Sequence, residues 1–220
     1  MAILVKICGI NSAEAADAAA RAGADFAGLM FHPKSPRHVT PEDARSLAQR
    51  LRDKVRIVAV IVDPRDEDIV HAMNNAVPDF LQLHGSESPA RVGEIREKFG
   101  IPIIKVLPVA EAADFANLPA YEDAADMLMF DAKPPANADR AGGHGVAFDW
   151  QLLRSRTISR PWFLAGGLTP ENVSRAIAAA NAAAVDVSSG VETAPGVKNP
   201  ELIQSFIASA RAKQFAGVSA

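Results

Sequence analysis

Two side chains that can carry protons end two predicted β-strands of this chain. The apolar run Ile3–Cys8 ends in the only cysteine of the sequence, and the run Met127–Asp131 ends in an aspartate. In a parallel barrel both strand ends would meet at one mouth, where such folds carry out their chemistry. A thiol and a carboxyl group placed there could act as base and acid on different atoms of one substrate.

Strand alternation places Lys6 and Cys8 on one face, with Val5 and Ile7 on the other. A lone cysteine can simply be a small buried hydrophobic residue, but a neighbouring cation favours the thiolate, which is the basic form. We therefore predict that Lys6 lowers the pKa of Cys8. Asp131 could be a turn residue, yet at the end of an apolar strand it needs a partner or a substrate to offset its desolvation.

Three glycine- or serine-rich turns follow predicted strands and suit a phosphate group. Barrel enzymes often bind phosphate between the loops after the seventh and eighth strands, through backbone N–H groups. Glycines can also serve only to make tight turns, but three turns on one side of the mouth favour a phosphate site. The residues concerned are Gly143, Gly145, Gly166, Gly167, Ser188 and Ser189.

Arg37 lies in the long loop His32–Val39 after the second predicted strand. Most loop arginines are solvated, but a proline restricts the chain before this one, and its guanidinium could clamp a substrate carboxylate at two points. Gln82 and His84 share one face of the fourth strand. We assign supporting roles at the mouth to Lys6, Gln82, His84 and Asp186.

The sequence lacks the patterns of several other site classes. The histidines show neither i, i+4 nor H-E-x-x-H spacing, so we predict no metal. There is no G-x-S-x-G elbow for a serine hydrolase and no early G-x-G-x-x-G for a dinucleotide.

Eight short apolar runs alternate with helical patterns, which indicates right-handed βαβ units. Their nearly continuous hydrophobicity is typical of strands buried on both faces. We predict an α/β fold, a closed (β/α)8 TIM barrel, as a single domain over residues 1–220. The predicted strands are Ile3–Cys8, Phe26–Phe31, Ile57–Asp63, Phe80–His84, Ile103–Leu107, Met127–Asp131, Trp162–Ala165 and Val185–Ser188.

Helix starts are predicted where a capping residue precedes a proline, because proline suits the first helical position. Asn11 with Glu14 could form a capping box on the first helix. The fifth and sixth helices, around Glu111–Asn117 and Phe148–Arg156, are expected to be short, and a long loop covers Ala132–Val146. The cap–proline pairs are Thr40-Pro41, Asp63-Pro64, Ser88-Pro89, Thr169-Pro170 and Asn199-Pro200.

Composition limits the partners. The 220 residues are 49% hydrophobic and carry a formal charge of −3, which suits a large core and disfavours nucleic acid. One cysteine is consistent with a reducing cytoplasm. No stretch has the length of a membrane helix, and the N-terminal apolar run is too short for a signal peptide. We expect a cytoplasmic protein that acts on a small molecule.

The segments VKICGI, FHPKSPRHV, LQLHG, FDAK, GGHGVAFDW, AGGLTPENV and VDVSSGVE resemble phosphoribosylanthranilate isomerase of tryptophan biosynthesis. They run in the same order from the first strand to the last. The resemblance implies a (β/α)8 barrel, without a cofactor, that converts N-(5′-phosphoribosyl)anthranilate to 1-(2-carboxyphenylamino)-1-deoxyribulose 5-phosphate. This Amadori rearrangement turns an aminoaldose into an aminoketose.

Carried over by position, the resemblance makes Cys8 the general base and Asp131 the general acid, and Arg37 would hold the anthranilate carboxylate. The six glycines and serines of the three turns would surround the phosphate. His144 departs from the family, which usually has a small hydroxyl residue there, so a side-chain contact would be lost. Family members need not share one oligomeric state, and either a monomer or a homodimer is expected.

Other interpretations stay open at this point. A different phosphosugar isomerase or epimerase would use the same turns, and an aldolase would need a Schiff-base lysine, for which only Lys6 and Lys105 lie in predicted strands. The related histidine-pathway isomerase binds two phosphates, but no double-glycine turn follows the third or fourth strand. A non-catalytic phosphate-ligand binder would not need an acid and a base at the mouth.

Overall fold

The chain forms a closed barrel of eight parallel strands in the order β1 to β8, as predicted. A computed structural model describes residues 2–133 and 148–212. Each strand pairs with its two neighbours in the sequence, and β8 closes the ring on β1 with Lys6 in register with Asp186. Since β1 and β6 are three places apart in this ring, their carboxyl ends face one another across the mouth.

All eight predicted strands are confirmed, with ends shifted by one or two residues. The strands are β1 Leu4–Cys8, β2 Phe26–Met30, β3 Arg56–Ile61, β4 Phe80–Leu83, β5 Ile103–Val109, β6 Met127–Ala132, β7 Trp162–Leu164 and β8 Ala184–Val187; a small antiparallel hairpin, β9 Glu192–Ala194 and β10 Val197–Lys198, follows β8.

The helices in the described ranges cover the outside of the barrel. The fifth helix was predicted at the wrong place, because Glu111–Asn117 forms only a 3-10 turn at Ala112–Phe115 and the helix follows it. The sixth helix has a single turn and is short, as expected. The helices are α1 Ala13–Ala22, α2 Pro41–Leu51, α3 Asp66–Ala76, α4 Pro89–Phe99, α5 Leu118–Ala124, α6 Gln151–Arg154, α7 Val173–Ala180 and α8 Pro200–Arg211. None of these helices is long and apolar enough to cross a membrane.

Side-chain alternation separates two cores, as the strand pattern predicts. Val5 and Ile7 point outward into the layer between barrel and helices. Cys8, Val58 and Met129 point inward into a smaller core that fills the barrel. The polar side chains of the mouth therefore lie on top of the apolar core that fills the barrel.

Three of the predicted helix starts are wrong. The first helix is capped by Ser12, whose hydroxyl accepts from Ala15 N, whereas Asn11 donates to Gly196 O. The helices expected after Asp63-Pro64 and Thr169-Pro170 begin two and three residues later. Asp63 accepts from Ser86 N instead of capping a helix, and residues 170–172 first form a turn. The caps at Thr40, Ser88 and Asn199 are confirmed.

An aspartate before each of three even-numbered strands bonds to the start of the preceding strand. Asp25 accepts from Val5 N at 2.8 Å, Asp79 from Ile57 N at 2.6 Å and Asp126 from Ile103 N at 2.9 Å. These carboxylates lie at the amino-terminal end of the barrel, opposite the mouth. Contacts at that end of a barrel serve stability rather than chemistry.

We predict that Asp126→Ala lowers the free energy of unfolding by about 1–3 kcal/mol, because it leaves a strand N–H without its acceptor. The same carboxylate also accepts from Arg96 at 2.6 Å. Asp123→Ala, an exposed site on α5, is the matched control and is expected to change stability by less than about 0.5 kcal/mol. Urea denaturation of both variants checks this; equal midpoints would contradict the role of Asp126.

Candidate active site

Cys8 lies at the mouth end of β1 with a buried side chain. Lys6, on the same face, donates a 2.7 Å hydrogen bond to Asp186 on β8. Burial alone would lower the pKa of Lys6, but the Asp186 carboxylate overrides this and raises it. The thiol therefore lies next to a buried ion pair, Lys6–Asp186, that carries no net charge.

The prediction that Lys6 lowers the pKa of Cys8 is confirmed in its direction, but Lys6 is not the largest influence on the thiol. Burial raises the pKa of Cys8 and outweighs Lys6, although Lys6 acts in the predicted, lowering direction. The sequence reveals the cation but does not reveal that Asp186 is bound to it, and that carboxylate repels a thiolate. Cys8 is therefore mainly a protonated thiol at neutral pH in the free protein.

Gly28 on β2 leaves the space in which Cys8 and Lys6 sit. A Cβ at this position would lie 3.0 Å from Cys8 Sγ and 3.2 Å from Lys6 Nζ, tighter than ordinary contact. Its carbonyl also accepts from Gly9 N and Ile10 N, both at 2.9 Å, just after β1. The position of the thiol therefore depends on a glycine in the neighbouring strand.

We expect Gly28→Ala to lower kcat about tenfold or more by displacing the thiol, since small errors in placing a reacting group are costly. Gly93→Ala is the matched control, because a Cβ there meets nothing within 4 Å. Steady-state turnover of the two variants checks the effect. Equal kcat values would show that the glycine does not set the position of Cys8.

Asp131 lies near the carboxyl end of β6, close to His84, which in turn contacts Gln82. His84 Nε2 lies 3.4 Å from Asp131 Oδ2, and Gln82 Nε2 lies 3.0 Å from His84 Nδ1. His84 therefore lies between the other two side chains, with Nδ1 toward the Gln82 amide and Nε2 toward the Asp131 carboxyl group. Gln82 of β4 and His84, just after it, thus orient the carboxyl group of β6.

A cavity of about 500 Å³ opens beside this carboxyl group. His84 and Asp131 lie on its wall, together with Leu107 and Tyr121. Lys105 lines it too, but its ammonium is 2.6 Å from Glu87 and 2.7 Å from Gly85 O. Both lysines of the predicted strands are thus tied into buried ion pairs; a further strand lysine, Lys198, lies in the unpredicted hairpin β9–β10.

The turns after β7 and β8 approach one another closely. Gly166 and Gly167 both have positive φ, and the side chain of Asn172 bonds Thr169 N at 2.9 Å and Gly167 O at 2.8 Å. A Cβ at Gly190 would overlap Leu168 O of the other turn. The sequence prediction missed Asn172. It lies three residues after Thr169, a spacing at which a side chain can accept from the backbone N–H of a helix-start residue.

Backbone N–H groups of these turns are available for an anion. Within the described part of the chain, those of Gly166, Gly167 and Ser189 have no protein acceptor. Gly166 also adjoins the catalytic candidate, since a Cβ there would lie 3.0 Å from Asp131 Oδ1. Gly143, Gly145 and His144 lie outside the described residues, so their predicted roles stay predictions.

Arg37 is buried, with 5% of its surface exposed, and is not a solvated loop residue. Its Nε and Nη2 donate to the two oxygens of Glu192 at 2.7 and 2.8 Å. Its stem lies over Gly9, where a Cβ would come within 2.5 Å of Arg37 Cδ. The arginine therefore lies directly beside the end of β1.

The sequence prediction missed Glu192 and Lys198. Lys198 Nζ donates to Glu192 Oε1 at 2.7 Å and to Ser188 O at 2.9 Å. The Pro195-Gly196 pair was a hairpin signal that could have found them. Among the described residues no three His, Cys, Asp or Glu side chains are grouped so that they could hold a metal ion.

A closed parallel barrel with polar side chains gathered at its carboxyl end is the architecture of a (β/α)8-barrel enzyme. A family model for N-(5′-phosphoribosyl)anthranilate (PRA) isomerase matches residues 5–209. The chain belongs to this family. The fold, the family and the isomerase class expected from the sequence are confirmed.

Individual relatives agree with the family match. The N-(5′-phosphoribosyl)anthranilate isomerase of Rhodopseudomonas palustris strain BisB5 is 49% identical over 97% of this chain and 98% of its own length. The crystal structure of phosphoribosyl anthranilate isomerase from Thermotoga maritima is 37% identical, with a TM-score of 0.85 over 96% of this chain and 99% of that one. A similar enzyme, 36% identical with a TM-score of 0.81 and coverage of 96% and 99%, was solved with reduced 1-(o-carboxyphenylamino)-1-deoxyribulose 5-phosphate.

Proposed function

We propose that this chain isomerises N-(5′-phosphoribosyl)anthranilate to 1-(2-carboxyphenylamino)-1-deoxyribulose 5-phosphate, with Cys8 as general base and Asp131 as general acid. The observation that carries the assignment is their placement: a thiol on β1 and a carboxyl group on β6 both enter the barrel mouth. Family membership over residues 5–209 supports the reaction.

The reaction needs a proton at one atom and its removal from another. Asp131 protonates the furanose ring oxygen, so the C1′–O bond breaks and the nitrogen lone pair forms a Schiff base. Cys8 then removes the proton from C2′, and the electrons of that C–H bond form an enolamine that tautomerises to the ketone. Two groups on opposite sides of the substrate suit these steps, since the atoms that lose and gain protons differ.

Two groups of donors hold the ends of the substrate. The turns containing Gly166, Gly167, Ser188 and Ser189 bind the phosphate, with Gly143 and Gly145 contributing from the loop after β6. Arg37 binds the anthranilate carboxylate with the N–H groups that Glu192 leaves available, because a guanidinium has five donors and two are used. Lys6, Gln82, His84 and Asp186 support the base and the acid.

The activity is tested by incubating the purified protein with N-(5′-phosphoribosyl)anthranilate and following the fluorescence of the anthranilate group. We expect enzymatic turnover without an added metal or cofactor. Absence of turnover, with an intact circular dichroism spectrum, would refute the proposal. Borohydride treatment during turnover distinguishes an aldolase, which would be trapped on a lysine; here Lys6 and Lys105 are held in ion pairs.

We predict that kcat/KM rises with pH, about tenfold per unit over the acid limb, because only the thiolate of Cys8 accepts a proton. Burial raises the pKa of Cys8 above its ordinary value, so the thiolate fraction falls as pH is lowered through that raised pKa. The rise of kcat/KM with pH should therefore continue into alkaline solution. A pH profile of wild type and Cys8→Ser checks this; the same limb in the serine variant would assign it to another group.

We also propose that the whole chain is one barrel domain, that it acts in the cytoplasm, and that it is a monomer or a homodimer. The barrel spanning most of the chain supports the single domain, and the relatives named as isomerases of a biosynthetic intermediate support the cytoplasm. Analytical ultracentrifugation distinguishes the two oligomeric states.

A further inference from the structure

A buried network of charged side chains connects the carboxylate end of the site to its phosphate end. Arg37 donates through Nε and Nη2 to Glu192, Glu192 also accepts from Lys198, and Lys198 donates to Ser188. Lys198 reaches both the carbonyl, at 2.9 Å, and the hydroxyl of Ser188, at 3.2 Å. The side chains of Arg37, Glu192 and Lys198 are 6%, 4% and 0% exposed.

The β9–β10 hairpin holds this network against the rest of the mouth. Glu192 begins β9 and Lys198 ends β10. At the tip, Gly196 has φ +83, and a Cβ there would lie 2.5 Å from Pro36 O in the loop that carries Arg37. Gly196 O also accepts from Asn11 Nδ2 at 2.9 Å. The hairpin is thus fixed to the loops after β1 and β2.

The charges of the network do not cancel. Two cations, Arg37 and Lys198, share one carboxylate. Burial lowers the pKa of Lys198, although Glu192 opposes this, and with Lys198 protonated one positive charge remains. Burial alone would raise the pKa of Glu192, but Arg37 and Lys198 lower it, and the carboxylate stays ionised. A buried charge without a partner is costly, and a substrate carboxylate on Arg37 would supply the missing negative charge.

Building on the proposed function, we propose that Glu192 and Lys198 are positioning residues that hold the two anion-binding ends of the site. Glu192 occupies one edge of the Arg37 guanidinium and turns Nη1 toward the substrate carboxylate. Lys198 fixes Ser188 in the phosphate-binding turn. Neither residue needs to touch the substrate.

The test for Glu192 compares two ligands by calorimetry. One is reduced 1-(carboxyphenylamino)-1-deoxyribulose 5-phosphate; the other carries a hydrogen atom in place of the carboxylate. Wild type should prefer the carboxylated ligand by about tenfold or more, and Glu192→Gln should lose most of that preference while binding of the other ligand changes by less than about twofold. KM should rise with little change in kcat.

The direction in which Glu192→Gln changes the preference for the carboxylated ligand distinguishes positioning from a simple charge effect. Removing the negative charge of Glu192 would by itself attract an anionic ligand more strongly, so an equal or larger preference in Glu192→Gln overturns the inference. Glu42→Gln on α2, where the side chain is 76% exposed, is the matched control with the same change in net charge. It should bind both ligands as wild type does.

For Lys198, binding of the ligand without the carboxylate is the readout. Lys198→Met should weaken it by about fivefold or more, and Lys198→Arg should restore most of the loss by keeping a donor to Ser188. Unchanged binding in Lys198→Met overturns this half of the inference. A loss that Lys198→Arg does not recover overturns it too.

Wild-type protein provides a measurement that does not depend on how the variants fold. The NMR signals of the Arg37 N–H groups should show Nε still bonded to Glu192 on binding, while Nη1 shifts with the carboxylated ligand alone. An Nε signal that loses its hydrogen bond on binding overturns the inference. If wild type shows no preference for the carboxylate, the role of Arg37 in the proposed function fails as well; if it does and Glu192→Gln keeps it, only this inference fails.

Discussion

Cys8→Ser is expected to lower kcat by about 10²–10⁴-fold, the range that a general base contributes. A serine hydroxyl holds its proton far more tightly than a thiol, so it is a poor acceptor for the C2′ proton. The change removes no contact with the phosphate turns, and the side chains are similar in size. Binding of the reduced product analogue should therefore stay within about threefold of wild type.

The controls for this variant address folding and the thiol itself. Thermal unfolding should be close to that of wild type, because Cys8 is a buried side chain of nearly unchanged volume. Ionisation of the buried thiol already has to work against its raised pKa, so turnover depends on the fraction that ionises. Wild-type turnover by Cys8→Ser would exclude the thiol as the base.

Asp131→Asn is expected to lower kcat by about 10²–10⁴-fold for a different reason. An amide has nearly the shape of the carboxyl group and can still accept from Ala132 N, a contact of 2.8 Å in the wild type. It cannot transfer a proton to the ring oxygen, so the furanose ring would open slowly. Steady-state kinetics and affinity for the reduced product analogue separate this loss from a loss of binding.

The matched control for Asp131 is Asp123→Asn, an exposed position on α5 outside the barrel mouth. It makes the same chemical change and should leave kcat and KM within about twofold of wild type. An equal loss of turnover in both variants would mean that the effect at Asp131 is not specific to the site.

The barrel was predictable because its signals are local. Each strand is a short apolar run, and Thr40, Ser88 and Asn199 cap helices next to a proline as expected. Alternation along β1 also predicted which side chains enter the barrel. The wrong helix starts at positions 63–64 and 169–170 have different causes: Asp63 accepts from Ser86 N, whereas Thr169 begins a turn before its helix.

The electrostatics could not be predicted from local patterns, because partners come from distant parts of the chain. Lys6 was expected to lower the pKa of Cys8, and it does, but burial raises that pKa by more, and Asp186, 180 residues from Lys6 in the chain, raises it further. Glu192 lies 155 residues from Arg37. Only the closed ring shows that these groups are neighbours, and it is this arrangement that sets the charge at the mouth.

The central claim, an acid at the ring oxygen and a base at C2′, is tested most directly with substrate deuterated at C2′. We predict that Cys8→Ser shows a larger isotope effect on kcat/KM than wild type, because proton removal limits its rate. Asp131→Asn should show almost none, because ring opening comes first and limits the rate. A large isotope effect in Asp131→Asn together with none in Cys8→Ser would contradict the assignment of both residues.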